Sequence, residues 1–224
     1  GAKNGSDWSN ACAGLTGNCA PANMQRGATY YVADGSYGSY IFGKAVSGTD
    51  TITIKKAVSS GDHGTDTGWD STMGDGQAVW NGEQTFTTSY WIFDGQIRNE
   101  SDWFSGSSYG FKIAHNNQDN QITIGANGLY ASYVEIRNTY LEALSTALPT
   151  STTIYRYGLR VNQFQNAQTS RGLVVSRSFF QYGNVPIWNQ ANDGMIIEYS
   201  AFDNNQSNNA NHGEAVSAYF SKKI

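Results

Sequence analysis

The feature that most constrains the fold of this chain is a recurring segment in which apolar and polar residues alternate. Such segments begin at Trp91, Val134, Leu173 and Met195, and Leu173 lies 22 positions before Met195. The other two spacings, 43 and 39 positions, fit the same period near 22 with loop insertions. Short strands that recur in this way are typical of a solenoid, in which each turn buries its apolar side chains against its neighbours.

Further segments extend the repeat over most of the chain. The first set also includes segments at Tyr30 and Ile52. A second set lies between its members and begins at Ala78, Phe111, Leu159, Val185 and Ala215. We therefore predict an all-β fold in which residues 30–224 form a parallel β-helix of about seven turns. The competing architecture is an antiparallel sandwich, whose hairpins would use the Asp-Gly and Asn-Gly pairs that the chain contains.

Residues 1–29 precede the first predicted strand and carry both cysteines. Cys12 and Cys19 lie seven positions apart among small, loop-forming residues, which favours a disulfide over two free buried thiols. Asp7 can cap a short helix that follows it, and a second short helix is expected at 20–25. This segment is thus predicted to be a helical, disulfide-closed cap on the first turn.

The composition argues against several classes of partner. Charged residues are 14% of the chain and the formal net charge is −4, so no nucleic acid is expected as a partner. No stretch approaches the roughly 18 consecutive apolar residues of a membrane helix, so no membrane insertion is expected. Few lysines, many Asn, Ser, Thr, Gly and Tyr residues and the predicted disulfide indicate a secreted, extracellular or cell-surface protein.

Three stretches of the sequence carry a resemblance to a known family. Residues 26–37, which include Asp34-Gly35-Ser36-Tyr37, and residues 91–95 and 212–217 resemble turns of right-handed parallel β-helix proteins of the pectate-lyase-like superfamily. The resemblance implies a right-handed helix and an extracellular protein that acts on, or binds, polysaccharide. The Arg-x-Pro-x-x-Arg signature of pectate lyases is absent, which counts against a pectate lyase proper.

Charged residues in the second set of strands are candidates for catalysis. Lys112 and Arg160 alternate with apolar residues and should point outward on consecutive turns of one sheet, which Glu214 also approaches. A lyase of uronate polymers must stabilise a carboxylate, remove the proton beside it and protonate the leaving oxygen, and these three residues could share that work. In the competing interpretation they are solvated strand residues. The candidate substrate-binding residues are His115, Trp188, His212 and Trp69.

The first set of strands has an outward column of its own. The register of the segments places Asp94, Arg137, Ser176 and Glu198 side by side. Asp94 and Glu198 would then be three strand spacings apart, about 14 Å, which exceeds the carboxylate separation of either glycosidase mechanism. A hydrolase that uses this pair is therefore not expected.

Two loop insertions are expected beside the strands. The loop at 61–76 is rich in Gly and Asp, and carboxylates spaced in this way could bind Ca²⁺, although ordinary Asx turns are the competing interpretation. Trp69 in this loop and Trp103 in the next insertion are candidate walls of a cleft. The candidate metal ligands are Asp62, Asp66 and Asp70.

Three functions are compatible with these features. The first is an extracellular or cell-surface β-helix with a structural, adhesive or filament-forming role, in which an uncapped last turn stacks on a copy of the chain or the helix continues beyond residue 224. The second is a polysaccharide lyase that acts on an acidic uronate polymer. The third is a non-catalytic glycan-binding module. The expected partners are thus polysaccharide or copies of the chain, with Ca²⁺ as the one cofactor suggested.

Overall fold

Parallel strands that stack turn upon turn dominate this structure. It is a computed structural model that describes residues 2–115, 120–126, 128–143, 157–161, 170–183, 185–190, 192–203 and 215–219. Three six-stranded sheets and one two-stranded sheet account for the strands in these ranges, and every pairing between the strands is parallel. The prediction of an all-β parallel solenoid is therefore confirmed, and the antiparallel sandwich is excluded.

Each turn of the chain contributes one strand to each of the three large sheets. Sheet 1 contains β1 (Thr29–Val32), β4 (Ile52–Lys56), β7 (Trp91–Asp94), β10 (Val134–Arg137), β14 (Val174–Ser176) and β18 (Ile196–Glu198). Sheet 2 contains β2 (Gly35–Tyr37), β5 (Ala78–Trp80), β8 (Phe111–His115), β11 (Thr139–Ala143), β15 (Phe179–Gln181) and β19 (Ala201–Asp203). Sheet 3 contains β3 (Tyr40–Phe42), β6 (Gln84–Phe86), β9 (Asn120–Ile124), β12 (Tyr157–Val161), β16 (Val185–Gln190) and β20 (Val216–Tyr219).

The remaining elements are short. Strands β13 (Ser170–Arg171) and β17 (Asn192–Asp193) pair with each other beside the later turns. The helical elements in the described ranges are single 3₁₀ turns, namely Trp8–Asn10, Gly17–Cys19, Pro21–Asn23, Ser71–Met73 and Gly106–Ser108.

The strands predicted as a first set form sheet 1 in the predicted order, but the second set divides between two sheets. Ala78 and Phe111 begin strands of sheet 2, whereas Leu159 and Val185 lie in sheet 3. The prediction of one second sheet is thus wrong. The reason is that strands of both sheets alternate with period two toward the same bore, so alternation alone cannot separate them.

Aromatic and aliphatic side chains fill the bore between the three sheets. Phe42 and Phe86 occupy matching positions on successive turns of sheet 3, and their rings stack with centroids 4.6 Å apart. This distance is close to the spacing of about 4.8 Å between paired strands, so the ring stack follows the backbone ladder. Trp80 and Trp91, both fully buried, belong to the same continuous core.

The N-terminal segment is closed by the predicted disulfide and packs against a later loop. Cys12 and Cys19 are bonded, with their Cα atoms 6.3 Å apart. Asp7 caps the first short helix, accepting a hydrogen bond from the main chain of Asn10, but the helix is a single 3₁₀ turn. The Trp8 indole donates a hydrogen bond to His63 Nδ1 over 3.3 Å, which fixes the segment to the loop that follows β4.

Arg26 joins the connections that lead into three successive strands of sheet 1. Its guanidinium donates hydrogen bonds to the main-chain oxygens of Ala45 (3.1 Å), Ser89 (2.8 Å) and Tyr90 (2.9 Å), and it also contacts that of Lys44. Burial lowers the pKa of the Arg26 side chain. One side chain thereby connects the entry to β1 with the entries to β4 and β7.

Lys56 places a charged group in the largely apolar lining of the bore. It follows Ile52 and Ile54 at the inward positions of β4, and it is 0% exposed. Its ammonium group donates hydrogen bonds to the main-chain oxygens of Ala57 (2.5 Å) and Met73 (3.4 Å). Burial lowers the pKa of this amine, while the nearby carboxylates of Asp34, Asp62 and Asp75 partly oppose that shift.

Candidate binding groove on sheet 1

The outward face of sheet 1 carries a continuous column of polar side chains. The register places Lys55, Asp94, Arg137, Ser176 and Glu198 opposite one another on successive strands. The predicted column from Asp94 to Glu198 is therefore confirmed, as is its length of three strand spacings. A neighbouring outward column contains Thr53, Ile92, Glu135, Val174 and Ile196.

The loop at 95–110, between β7 and β8, rises beside these columns and forms a wall. Its two ends are held together because the main-chain N–H of Gly110 donates to the oxygen of Ile97 over 3.1 Å. An isolated antiparallel bridge between Arg98 and Tyr109 extends this pairing. Gly110 packs so closely on Gly95 that a Cβ atom would collide with the Gly95 oxygen. The two ends of the loop therefore lie side by side where it leaves the β-helix and where it rejoins it.

An aromatic cluster on the outer face of sheet 2 anchors this loop. Tyr109 packs beside Tyr140 and Phe179, with ring centroids 6.5 Å and 6.1 Å away, and all three are buried. The Tyr109 hydroxyl donates a hydrogen bond to the main-chain oxygen of Trp103 over 2.7 Å. Burial raises the pKa of Tyr109 to about 12. Apolar contacts on sheet 2 thus fix a loop whose first residues overhang sheet 1.

Between the wall and the two columns lies a groove of about 680 Å³. Four carboxylates and three arginines line it, together with aliphatic side chains and a few uncharged polar groups. We call this feature the sheet 1 groove. Its lining residues are Asp94, Gln96, Ile97, Arg98, Glu100, Glu135, Arg137, Asn138, Val174, Ser176, Arg177, Ile196 and Glu198.

Arg98 and Glu100 are the centre of an ion-pair network in the wall. Arg98 contacts both oxygens of Glu100, at 2.7 Å and 3.3 Å, and Arg177 contacts Glu100 from the turn that follows β14. The Arg98 side chain is only 1% exposed, and its guanidinium lies 3.9 Å from the centroid of the Trp103 ring. Hydrogen bonds from Arg98, followed by those from Arg177, lower the pKa of Glu100. The network therefore ties the wall to the face that it overhangs.

The other charged groups of the groove differ in how they are paired. Arg137 contacts Glu135 on its own strand. Asp94 Oδ1 accepts hydrogen bonds from the main-chain N–H of Gln96 and from Asn138 Nδ2, both over 2.7 Å. Within the described part of the chain, neither Asp94 Oδ2 nor the exposed Glu198 carboxylate receives a hydrogen bond or ion pair. Two carboxylates therefore face the open groove.

The structure separates the residues predicted to form a lyase site. Lys112 lies on sheet 2, where its amine contacts Glu142 over 2.7 Å beside the Tyr140 ring. Arg160 lies on sheet 3 next to Trp188 in the register. The prediction that Lys112 and Arg160 occupy consecutive turns of one sheet is therefore wrong, because the chain makes three strands per turn. Glu214 and His212 lie outside the described residues, as does the side chain of His115.

Three aspartates of the 61–76 loop accept hydrogen bonds from main-chain N–H groups in the loop and just before it. Asp62 Oδ2 accepts hydrogen bonds from the main-chain N–H groups of Val58 and Ser59, and Asp70 Oδ1 accepts from that of Thr72. Asp66 accepts from the main chain of Gly61 and the Ser60 hydroxyl. No three His, Cys, Asp or Glu side chains among the described residues converge as a metal site. The contact of Asp70 is that of an Asx turn, whereas Asp62 and Asp66 accept from residues that precede them in the chain.

Trp69 is part of a packed aromatic group rather than of the sheet 1 groove. Its ring lies 4.0 Å from that of His63 and 4.8 Å from that of Trp8, measured between centroids. His63 is buried in this group. Trp69 therefore fastens the N-terminal segment, whereas the other predicted wall residue, Trp103, supports Arg98 from within the 95–110 loop.

Sequence reasoning missed the residues that complete the groove. Arg98, Glu100 and Arg177 lie in a loop and a turn, outside the alternating pattern from which the faces were assigned. The available signal was the long interval between Trp91 and Val134, which marks an insertion beside the charged column. An insertion at that position can overhang the neighbouring strands, but its direction depends on the aromatic anchor on sheet 2.

Comparison with known proteins gave no significant match, whether with family models, curated proteins or solved structures. In the described ranges, no helix has the length and apolar character needed to cross a membrane.

Proposed function

We propose that this chain is an extracellular parallel β-helix protein of the pectate-lyase-like kind that binds polysaccharide in the sheet 1 groove. The observation that carries the proposal is the groove itself, in which open carboxylates, arginines and aliphatic side chains lie side by side on stacked strands. A polysaccharide offers hydroxyl groups that both donate and accept hydrogen bonds, together with apolar C–H faces. The groove offers carboxylates and guanidinium groups to the hydroxyl groups, and aliphatic side chains to the C–H faces.

The shape of the groove supports an extended ligand. The outward column spans three strand spacings from Asp94 to Glu198, about 14 Å, so a ligand along it would contact several turns at once. The strands beneath are fixed by parallel ladders, and the wall is fixed by the Arg98–Glu100–Arg177 network. A site held in this way loses little conformational entropy when it binds a chain-like ligand.

The disulfide and the winding of the chain support the rest of the proposal. A bonded Cys12–Cys19 pair is typical of proteins that fold in an oxidising, extracellular compartment. Parallel strands stacked in three sheets, with one strand of each sheet per turn, are compatible with a helix of the pectate-lyase-like kind.

The proposal can be tested with a bulky substitution that fills the groove. Val174→Trp would project an indole from the outward column into the groove and should abolish binding on a glycan array. Thr53→Trp is the matched control, since Thr53 stands in the same outward column but does not line the groove. Equal binding by the two variants, or no glycan binding by the unaltered protein, would contradict the proposal.

The other two functions stay predictions. Uronate lyase activity by Lys112, Arg160 and Glu214 would require a site that spans sheets 2 and 3 rather than one sheet. End-to-end stacking of copies depends on residues after Tyr219, which lie outside the described ranges.

A further inference from the structure

We propose that the sheet 1 groove accepts an uncharged, hydroxyl-rich glycan and discriminates against uronate polymers. The inference rests on the proposed function, because it specifies the ligand of the same groove. It follows from the way in which the charged side chains of the groove are paired.

The arginines of the groove already contact carboxylates. Arg98 holds Glu100 through two hydrogen bonds and is nearly inaccessible, so it does not reach a ligand. Arg177 shares Glu100 with Arg98, and Arg137 contacts Glu135. Arg137 and Arg177 are 38% and 48% exposed. They can therefore donate hydrogen bonds to a ligand, but their charges are partly neutralised by acids already in place.

The carboxylates that remain open lie at the two ends of that part of the column which lines the groove. Asp94 at one end keeps Oδ2 available, and Glu198 at the other end has no polar partner for its carboxylate among the residues the structure describes. Between them stand Arg137 and Ser176. The lining residues comprise four acids and three arginines, a formal net charge of −1. The groove is thus of mixed sign rather than basic.

An anionic ligand meets carboxylates of its own sign. A uronate carboxylate along the column would lie near Asp94 or Glu198, and the arginines that could offset this repulsion already contact Glu135 and Glu100. In water, each such contact at about 4 Å reduces affinity about fivefold, which corresponds to about 1 kcal/mol. Hydroxyl groups avoid the conflict, since the same hydroxyl donates to a carboxylate and accepts from a guanidinium.

Aliphatic side chains in the groove complement the uncharged parts of such a ligand. Ile196 on the sheet is 52% exposed and Ile97 on the wall is 43% exposed, while Val174 stands beside Ile196 in the register. Exposed aliphatic residues within a polar groove suit a ligand with apolar faces. The C–H faces of a neutral sugar ring have this character.

The test is calorimetric titration of the full chain with hexasaccharides of two charge classes. The neutral probes are glucan, mannan and xylan oligomers, and the anionic probe is oligogalacturonate. We expect a neutral probe to bind at least about fivefold more tightly than oligogalacturonate. Its affinity should change less than about twofold between about 0.05 and 0.5 M salt, because no net charge is neutralised.

Two variants identify the groups responsible. The double variant Asp94→Asn, Glu198→Gln should weaken the neutral probe and strengthen oligogalacturonate at least about fivefold, because two repelling charges are removed. Asp50→Asn, at an exposed position outside the groove lining, should change neither affinity. The single variant Glu198→Gln gives a second reading if the double variant fails to fold, since Glu198 has no polar contact to lose within the described part of the protein.

The outcomes separate the inference from the proposed function. Tighter binding of oligogalacturonate through the groove would overturn the inference and leave glycan binding standing. Failure of every probe to bind would overturn both. A neutral probe whose affinity is unaffected by the double variant would overturn the assignment of Asp94 and Glu198.

Discussion

Arg98 donates a hydrogen bond to the main-chain oxygen of Tyr199, a residue 101 positions later in the chain. Arg98 leaves the helix after the third strand of sheet 1, and Tyr199 follows the sixth strand. One guanidinium in the wall therefore spans three turns of the solenoid. The groove keeps its width because this contact holds the wall at a fixed height above sheet 1.

Replacement of Arg98 should loosen the wall without unfolding the helix. Arg98→Lys keeps the charge but loses the fork that contacts both Glu100 oxygens and Tyr199, so we expect a loss of about 1–3 kcal/mol in local stability. Amide hydrogen exchange over residues 95–110 measures this loss directly. Arg171→Lys, at an exposed position, is the control and should leave exchange unchanged. Unaltered exchange in Arg98→Lys would show that the wall is held by its aromatic anchor alone.

Acid should release the same wall. The pKa of Glu100 is lower in the folded protein than its ordinary value of 4.5, because Arg98 and Arg177 favour the ionised carboxylate. The stability that Glu100 contributes is therefore complete above about pH 4.5 and is lost as the pH falls through the lowered value. Hydrogen exchange or proteolysis of the 95–110 loop, followed from pH 6 down to about pH 3, should show this opening.

The matching variant is Glu100→Gln, which cannot ionise. Its wall should be loosened already at neutral pH and should show a smaller change on acidification. Wild-type and variant profiles that run parallel over the acid range would contradict the assignment to Glu100.

A methyl group at Gly110 should disturb the base of the loop. A Cβ atom there would collide with the main-chain oxygen of Gly95, and neither backbone segment can move without disturbing its ladder. We expect Gly110→Ala to lower the free energy of unfolding by about 1–3 kcal/mol, the usual effect of overpacking. Gly38→Ala is the matched control, because a Cβ at Gly38 meets no atom within 4 Å. Urea unfolding of the two variants measures the difference.

Lys56 should make stability rise with pH. Its pKa is lower in the folded state than the ordinary 10.5, so between these two values the unfolded chain binds more protons than the folded chain. The contribution of Lys56 to the free energy of unfolding should therefore increase with pH through this window and become constant above about pH 10.5. Lys56→Met removes this slope while it keeps an unbranched side chain in the bore.

At neutral pH we expect Lys56→Met to stay within about 1 kcal/mol of the wild type, because relief from burying an ammonium offsets the loss of two hydrogen bonds. Urea unfolding at a series of pH values provides the comparison. Lys55→Met, on the outward face of the same strand, controls for the loss of a lysine. Wild-type and Lys56→Met curves with the same alkaline slope would refute the assignment.

Sheet 1 was predictable in detail, for a physical reason. Val134 and Ile136 face the bore while Glu135 and Arg137 face solvent, and an alternation this regular fixes both the strand and the register of its column. The same alternation places Lys56 on the inward face, because it lies two positions after Ile54 and four after Ile52. We did not predict this burial from the sequence.

The groove wall could not be predicted from alternation. Arg98 reaches Tyr199 only because Tyr109 and Trp103 pack on sheet 2, and no local pattern records a contact between such distant residues. The division of the second strand set had a similar cause. Lys112 and Arg160 both follow inward-facing apolar residues, but the chain turns a corner between their strands.

Arg26 has a mechanical consequence for the first turn of the helix. Its guanidinium bonds main-chain oxygens ahead of β4 and β7, while Arg26 itself precedes β1, so a pull on the N-terminal segment must extract this group before β1 can separate from β4. The load is then shared by three strands rather than one. β1, β4 and β7 should therefore resist separation together, although β1 alone is only four residues long.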